Sequence, residues 1–419
     1  MSRKMFGIHP CAAIVFVASL ALANPAWAGV HEKVLYTFGG ANGADPETKL
    51  VYTASGALFG TAGVGGNTTT CPNPNGCGVV FELSTPKDGV RHYHLLYVFN
   101  GGGSDGMYPL GNIVFDSAEN LYGVTEFGGS GDYGCGTVYK LSPAVGGQWT
   151  ETVIHSFDCD STDGSEPLAG LVMDAAGNLY GTTGFGGTTG HGTVYELSPN
   201  SEGSWSETIL YNFSSENAGG YEPSAELIID PAGNLYGSTT SGGTADYGTV
   251  FELFNTSDGW REDVLYNPSG VKGLGRPAGP LWRDATGNLY GVANSTKFAG
   301  GAVFELTQNA DGSWTESTLH EFGIPPVDGN EPSSGLAVDS GGSMYGTTTA
   351  GGTYGDYGTV YSLTPKTEGG WSYSQIYSFN GAPQFNPNCG ITLGAANTLY
   401  GVTEDDSIPA SGGAYEIVF

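Results

Sequence analysis

The sequence predicts an all-β fold, a single seven-bladed β-propeller whose four-stranded antiparallel blades are closed by the N-terminal strand. Three observations carry that expectation. The first is a Leu-Tyr-Gly signature written seven times, at Leu58-Phe59-Gly60, Leu121-Tyr122-Gly123, Leu179-Tyr180-Gly181, Leu235-Tyr236-Gly237, Leu289-Tyr290-Gly291, Met344-Tyr345-Gly346 and Leu399-Tyr400-Gly401. The second is its period: the aromatic residues recur every 54 to 63 positions, the length of a unit of four short strands. The third is phase. The chain after its leader opens on a fourth-type strand and ends on a third-type strand with no successor, so the two ends complete one blade and remove two exposed edges.

Taken in order, residues 1–28 read as a signal peptide. Arg3 and Lys4 give the positive start, Cys11 to Leu22 the apolar stretch, and Ala26-Trp27-Ala28 a small-x-small cleavage site. That stretch is too short to span a bilayer. Cleavage near Ala28 is therefore expected to leave a secreted or periplasmic chain without a transmembrane segment, with residues 29–419 as the propeller. Val34 to Phe38 is the unattached fourth strand. The third copy shows a whole unit. Gly170 to Met173 is a short apolar strand, and Asp174-Ala175-Ala176-Gly177 a turn. Asn178 to Thr183 is the second strand, Gly192 to Leu197 the third and Trp205 to Phe213 the fourth. Bulky residues stand at both parities, so both faces of each blade are buried against neighbours. Third strands begin at Gly78, Gly136, Gly192, Gly248, Gly301, Gly358 and Gly413, and fourth strands end at Phe38, Phe99, Phe157, Phe213, Asn267, Phe322 and Phe379. An open solenoid would need capping units, which the sequence lacks.

Composition bounds the partners. Without Arg3 and Lys4 the chain carries 11 Lys and Arg against 42 Asp and Glu, a net charge of −31. Such a surface repels nucleic acid, and a soluble monomer is expected. Gly 71, Tyr 24 and Phe 19 suit short strands packed through aromatic–glycine contacts. Of the five cysteines beyond the leader, Cys71 and Cys77 flank a short loop. Cys135 begins one strand and Cys159 ends the next, side by side in an antiparallel hairpin. Disulfides Cys71–Cys77 and Cys135–Cys159 are expected in an oxidising compartment, leaving Cys389 as a buried thiol.

The units resemble the GloVer tandem repeat of exported bacterial proteins, often called choice-of-anchor repeat proteins. The matching residues are Gly177 to Thr183 (Gly-Asn-Leu-Tyr-Gly-Thr-Thr), Gly186-Gly187 ahead of Gly192 to Tyr195 (Gly-Thr-Val-Tyr), Leu210 to Phe213 (Leu-Tyr-x-Phe) and Asp163-Gly164 with Pro167. The resemblance implies an exported β-propeller without a defined activity. Many members end in a sorting anchor; this sequence stops inside its last strand, which implies a released or periplasmic protein.

In a repeat, a residue present in most copies is architecture, and departures carry the information. Asp116, Asp174, Asp230, Asp284 and Asp339 recur ahead of x-x-Gly and are read as turn residues. His155 and His320 stand where other copies have Tyr97, Tyr211, Tyr266 and Tyr377, and His191 where others have Tyr133, Tyr247 and Tyr357; none sits in a metal-type cluster, so neither a zinc ligand nor a nucleophile-activating histidine is expected among them. No phosphate loop, zincin motif or nucleophile elbow is present. The residues before each loop proline are Asp45, Tyr108, Glu166, Glu222, Arg276, Glu331 and Asn386. With Asp105, Asp163 and Asp328 nearby, such carboxylates could hold Ca²⁺, the one cofactor the sequence suggests; solvated turn residues are the alternative. Three positions after each proline, the innermost strands carry Lys49, Asn112, Gly170, Glu226, Pro280, Gly335 and Gly390. Lys49, Asn112 and Glu226 break a run of small residues, as a clamp or an acid–base set would, or as a satisfied contact filling the axis. Arg261, Lys272, Arg276, Arg283 and Lys297 give the fifth copy a basic sector that could grip an anionic group.

The favoured function is a non-enzymatic exported propeller that recognises an extracellular glycan or protein. The alternative is a propeller hydrolase or lyase on an acidic polysaccharide, with Glu226, Lys49 and Asn112 near the axis and Arg276 on a uronate. The enzyme reading requires those departures to share one pocket.

Overall fold

The computed structural model describes residues 29–419 apart from 104, 130–133, 160–161, 217–218, 271–274, 295–299, 324–327, 382–385, 396 and 406–410, and apart from the side chains of 405 and 411. The signal-peptide expectation at 1–28, and Tyr133, Lys272 and Lys297, lie outside the described residues. Among those described, the strands form seven antiparallel blades in a ring. The first blade runs from Val51–Tyr52 at the axis through Leu58–Ala62 and Val79–Leu83 to Tyr93–Val98 at the rim. Blades two to six start at Gly106–Phe115, Val172–Met173, Gly220–Pro223 with Ile228–Ile229, Pro277–Arg283 and Ala337–Val338. The seventh takes Thr392–Leu393, Thr398–Asp405 and Ser411–Val418 from the chain's end, and its rim strand is His31–Thr37 from the beginning. Val34 pairs with Tyr415 and Thr37 with Gly413, and Phe38 N–H donates to Gly412 O at 2.9 Å. The expected closure is present.

The signature residues follow from packing. The second strands Leu58–Ala62, Leu179–Thr183, Leu289–Ala293 and Met344–Thr348 are buried at every position, because each lies between two neighbouring blades. Glycine is required in Leu-Tyr-Gly: a Cβ at Gly123, Gly181 or Gly346 would lie 2.4 Å from the hydroxyl of Tyr139, Tyr195 or Tyr361 on the third strand. The Leu-Tyr pair of the fourth strands, replaced by Ile154-His155, Leu319-His320 and Ile376-Tyr377 in three of them, marks a β-bulge. Val80 pairs with Tyr97 and Phe81 with Leu95, so Leu96 is the extra residue. Ile154, Leu210, Leu265, Leu319 and Ile376 are skipped alike, and so is Leu35 on the N-terminal strand. A bulge lets two successive bulky residues serve different neighbours.

The turn aspartates do the structural task expected of them. Asp116 Oδ1 accepts the N–H groups of Ala118 and Asn120 at 2.9 Å, and its Oδ2 takes the Tyr122 hydroxyl at 3.0 Å. Asp174, Asp230, Asp284 and Asp339 repeat the arrangement. Both disulfides form, Cys71–Cys77 and Cys135–Cys159, and Cys389 is a free, buried thiol. No helix among the described residues is long and apolar enough to cross a membrane.

Candidate functional site on the propeller axis

The seven innermost positions named from the sequence all line one axial cavity of about 270 Å³, together with Glu47, Ser224, Ser333, Ser334, Asn388 and Cys389. Small residues let the backbones meet there. A Cβ at Gly111 would lie 2.1 Å from Gly170 N, and one at Gly279 would lie 2.3 Å from Gly335 N. Of the seven innermost positions, Lys49, Asn112, Glu226 and Pro280 carry the larger groups. Asn112 donates its side-chain amide to Glu226 Oε2, and Lys49 faces Glu226 electrostatically. Lys49, Asn112 and Glu226 are thus brought together.

They also form a waist. The same three residues line a second cavity of about 450 Å³ on the other side, whose walls are Leu50, Val51, Ile113, Trp282, Leu336, Val338 and Leu393. The upper chamber is rich in glycine and serine beside Leu110 and Leu168, and the lower one has larger aliphatic walls with Trp282 and Thr392. Burial pushes the Glu226 carboxyl up to about 7, against the opposing pull of Lys49 and Asn112. Burial also lowers the Lys49 ammonium, which Glu226 partly restores. An acid near neutrality beside a weakened base is a group that can give or take a proton at physiological pH.

Above the waist sit the residues that precede the loop prolines. Asp45, Tyr108, Glu166, Glu222, Glu331 and Asn386 all adopt φ between 51° and 60°, a left-handed geometry rare before proline. The backbone holds them there from both sides: Glu166 N–H donates to Cys135 O, and Glu166 O accepts from Gly184 N–H, both at 2.9 Å. Carboxylates recur around this mouth. Asp45 lies with Glu47 and Glu404. Glu126 faces Glu166, and burial followed by that neighbour raises its carboxyl to about 7. Glu222 accepts the Ser241 hydroxyl at 2.8 Å. Cys389 donates to Asn388 Oδ1 at 3.1 Å, and burial, then Glu47, Glu404 and Asp45, pushes its thiol well up; a thiol held protonated is inert.

The remaining candidates stand apart. Arg276 is exposed and does not line the axial cavity; its charge acts on Tyr221. Arg283 lies over the Tyr236 ring and 4.0 Å from Asp230, and Arg261 pairs with Asp258 at 3.2 Å. Asp105, Asp163 and Asp328 occupy three separate blade junctions toward the rim. Asp105 takes the Asn100 N–H at 2.9 Å and the Tyr97 hydroxyl at 3.3 Å. Asp163 faces His155 at 3.6 Å, and Asp328 faces His320 at 3.3 Å.

These junctions share a contact the sequence reading did not identify. The Tyr or His of one fourth strand meets the residue two after the Trp position on the next. Tyr211 donates to Glu262 at 2.8 Å and Tyr377 to Glu32 at 2.7 Å. Tyr36 stacks on Tyr93 with centroids 4.1 Å apart, and His320 on Tyr373 at 3.9 Å. Glu47, Asn388, Glu126 and Glu404 were missed as well. For the last two a signal existed: they stand where other copies carry Gly63, Gly184, Thr240, Asn294 and Thr349.

A family model described as the Gloeobacter/Verrucomicrobia repeat matches residues 26–228 and 201–415. No curated protein sequence matches the chain. Among solved structures, the extracellular domain of a protein from B. thetaiotaomicron assigned to a one component system superposes with a TM-score of 0.53 at 14% identity. That match covers 91% of this chain and 40% of the other. A luciferin-regenerating enzyme gives 0.44 at 15% identity over 74% and 91% of the two chains. A Thermus protein assigned as an oxidoreductase (glucose dehydrogenase) gives 0.44 at 17% over 76% and 94%. The first of these bears on the fold alone.

Proposed function

The chain belongs to the Gloeobacter/Verrucomicrobia repeat family, and on that footing we propose that it is an exported β-propeller that binds an extracellular glycan at the mouth of its axial channel. The observation that supports this is the meeting of Lys49, Asn112 and Glu226 in one cavity. An ammonium, an amide and a carboxyl at one level suit hydroxyl and carboxylate groups of a sugar end, and the rigid ring pre-organises them. Two disulfides fit an oxidising, extracytoplasmic location. The test is a glycan array probed with the protein beginning at Gly29. Selective signal that falls in the Lys49→Ala variant supports the proposal, and uniform background overturns it, leaving an extracellular protein as the partner.

The same convergence favours a second reading, a hydrolase or lyase acting at the end of an acidic polysaccharide with Glu226 as the proton-transfer group. It lacks Arg276, which stands outside the cavity. Acidic polysaccharides should then give products with new ultraviolet absorbance or reducing ends, and Glu226→Gln should abolish them. Undiminished turnover in that variant removes Glu226 from the reaction.

A further inference from the structure

We propose that His155, Asp163 and Glu207 form a binding site for a divalent cation of the zinc class at the junction of the second and third blades. The three come from different segments: His155 from one fourth strand, Asp163 from the loop that follows, Glu207 from the next fourth strand. Their ligand atoms all lie within 4.8 Å of one another.

The spacing is what sets this junction apart. His155 Nε2 stands 3.4 Å from Glu207 Oε1 and 3.6 Å from Asp163 Oδ2. Charge-assisted N–H···O bonds close to about 2.7–2.9 Å. The edge of a tetrahedron around zinc, with bonds of about 2.0–2.2 Å, is instead about 3.3–3.6 Å. His155 Nε2 has no hydrogen-bond partner, and neither has Glu207 Oε1, although one glutamate oxygen is without a partner at Glu32, Glu151 and Glu262 as well. At two other junctions, by contrast, the tyrosine in the histidine's place closes directly on its glutamate, at 2.8 and 2.7 Å.

Two further observations point to a ligand here. The Tyr195 hydroxyl, wholly buried beside Glu207 and Asp163, has no hydrogen-bond partner. Buried orphan hydroxyls occur at Tyr139, Tyr361 and Tyr415 too, but there no His–Asp–Glu set accompanies them. Moreover, Asp163 is held from behind: its Oδ1 accepts Gly164 N–H at 2.7 Å and its Oδ2 Asp158 N–H at 2.8 Å. The Cys135–Cys159 disulfide ties the loop before it to the neighbouring strand. A carboxylate fixed by second partners is a pre-oriented ligand. The side chains are 15 to 18% exposed, so an ion can enter, and three protein ligands leave a fourth position for water. At the junction of the fifth and sixth blades His320 and Asp328 recur, but Tyr373 replaces the glutamate and stacks on the imidazole. That junction is the internal control.

The test uses the disulfide-intact protein, freed of metal with chelator and titrated calorimetrically with Zn²⁺, and with Co²⁺ for its visible d–d absorption. One equivalent should bind, with the intense Co²⁺ spectrum of a tetrahedral site. The decisive variant is His155→Tyr, which installs the residue of Tyr211 and Tyr97 and so preserves the junction. It should keep the wild-type melting temperature and lose at least about a hundredfold in affinity, since even outer-shell changes cost 10- to 100-fold. Glu207→Gln should lose a comparable factor, and His320→Ala should bind normally. No saturable binding, or binding unchanged in His155→Tyr, overturns the proposal. Loss in Glu404→Gln instead, which would assign the ion to the Asp45, Glu47 and Glu404 group, also overturns it.

Discussion

Asn112, on the innermost strand of the second blade, bonds to Glu226 on the fourth by crossing the third at Gly170. A Cβ at Gly170 would lie 2.4 Å from Asn112 N, so the missing side chain makes the crossing possible. Asn112→Ala should leave Glu226 Oε2 buried without its donor, at a cost of about 1–3 kcal/mol. It should also raise the Glu226 carboxyl further, because the amide favours its charged form. Denaturant unfolding of wild type and variant measures the first effect, and its pH dependence the second. Equal stability at all pH values would mean the bond does not hold the waist.

Acidity should stabilise this protein down to a limit. Burial raises the carboxyls of Glu126, Glu151 and Glu226 to about 7 from 4.5. A raised folded value favours the protonated fold, so this stability is full below 4.5 and lost as pH climbs through 7. The turn aspartates run oppositely. Burial alone would raise Asp116 and Asp174, but hydrogen bonds from Asn120 and Asn178 and their neighbours hold them below 3.8. Their stability is present above 3.8 and lost as pH falls through the lowered values. The melting temperature should therefore peak near pH 4–5 and fall by pH 8, and Glu226→Gln should flatten the descending arm. A maximum at pH 8 would contradict the assignment.

The ring was legible because its determinants are local and repeated seven times. Leu-Tyr-Gly and the bulged pair of the fourth strand each solve one packing problem in every blade, and the Asp turn does so in five. The inner register followed by counting from each proline, which placed Lys49, Asn112 and Glu226 correctly. The rim contacts were not legible, since they join Tyr211 to Glu262 or His155 to Glu207 across a blade boundary, and no spacing within one copy encodes the partner. Arg276, which does not line the axial cavity, marks the opposite limit. Its basic neighbourhood is visible in the sequence, but whether the side chain turns toward the axis depends on a loop conformation that charge alone does not dictate.

Buried tyrosines offer a test of what the repeat tolerates. The Tyr361 hydroxyl is fully buried and has no hydrogen-bond partner, and Phe81, Phe251 and Phe304 occupy the same place in other blades. Tyr361→Phe should keep the ring packing and relieve the unsatisfied oxygen, raising stability by about 1 kcal/mol. Chemical denaturation would show it as a higher midpoint at unchanged slope. A loss of stability would reveal a partner, such as an ordered water.

Closure of the ring can be weighed against its other junctions. The Phe that ends six of the seven fourth strands packs on the third-strand aromatic of the next blade: Phe213 on Phe251 at 5.2 Å, and Phe379 on Tyr415 at 5.2 Å between centroids. Phe38, from the N-terminal strand, meets Phe81 at 4.9 Å and is 3% exposed. If the seventh blade is clasped as firmly as the rest, Phe38→Ala and Phe213→Ala should each cost about 3–5 kcal/mol. Both belong to one cooperative unit, so a single unfolding transition should shift in each. A terminal strand that frays would behave differently. Phe38→Ala would then sit within about 1 kcal/mol of wild type while Phe213→Ala bore the full loss, and early proteolysis ahead of Gly39 would accompany it. That pair of outcomes would mean that the edges of the first and seventh blades are held by their own packing and not by the strand between them.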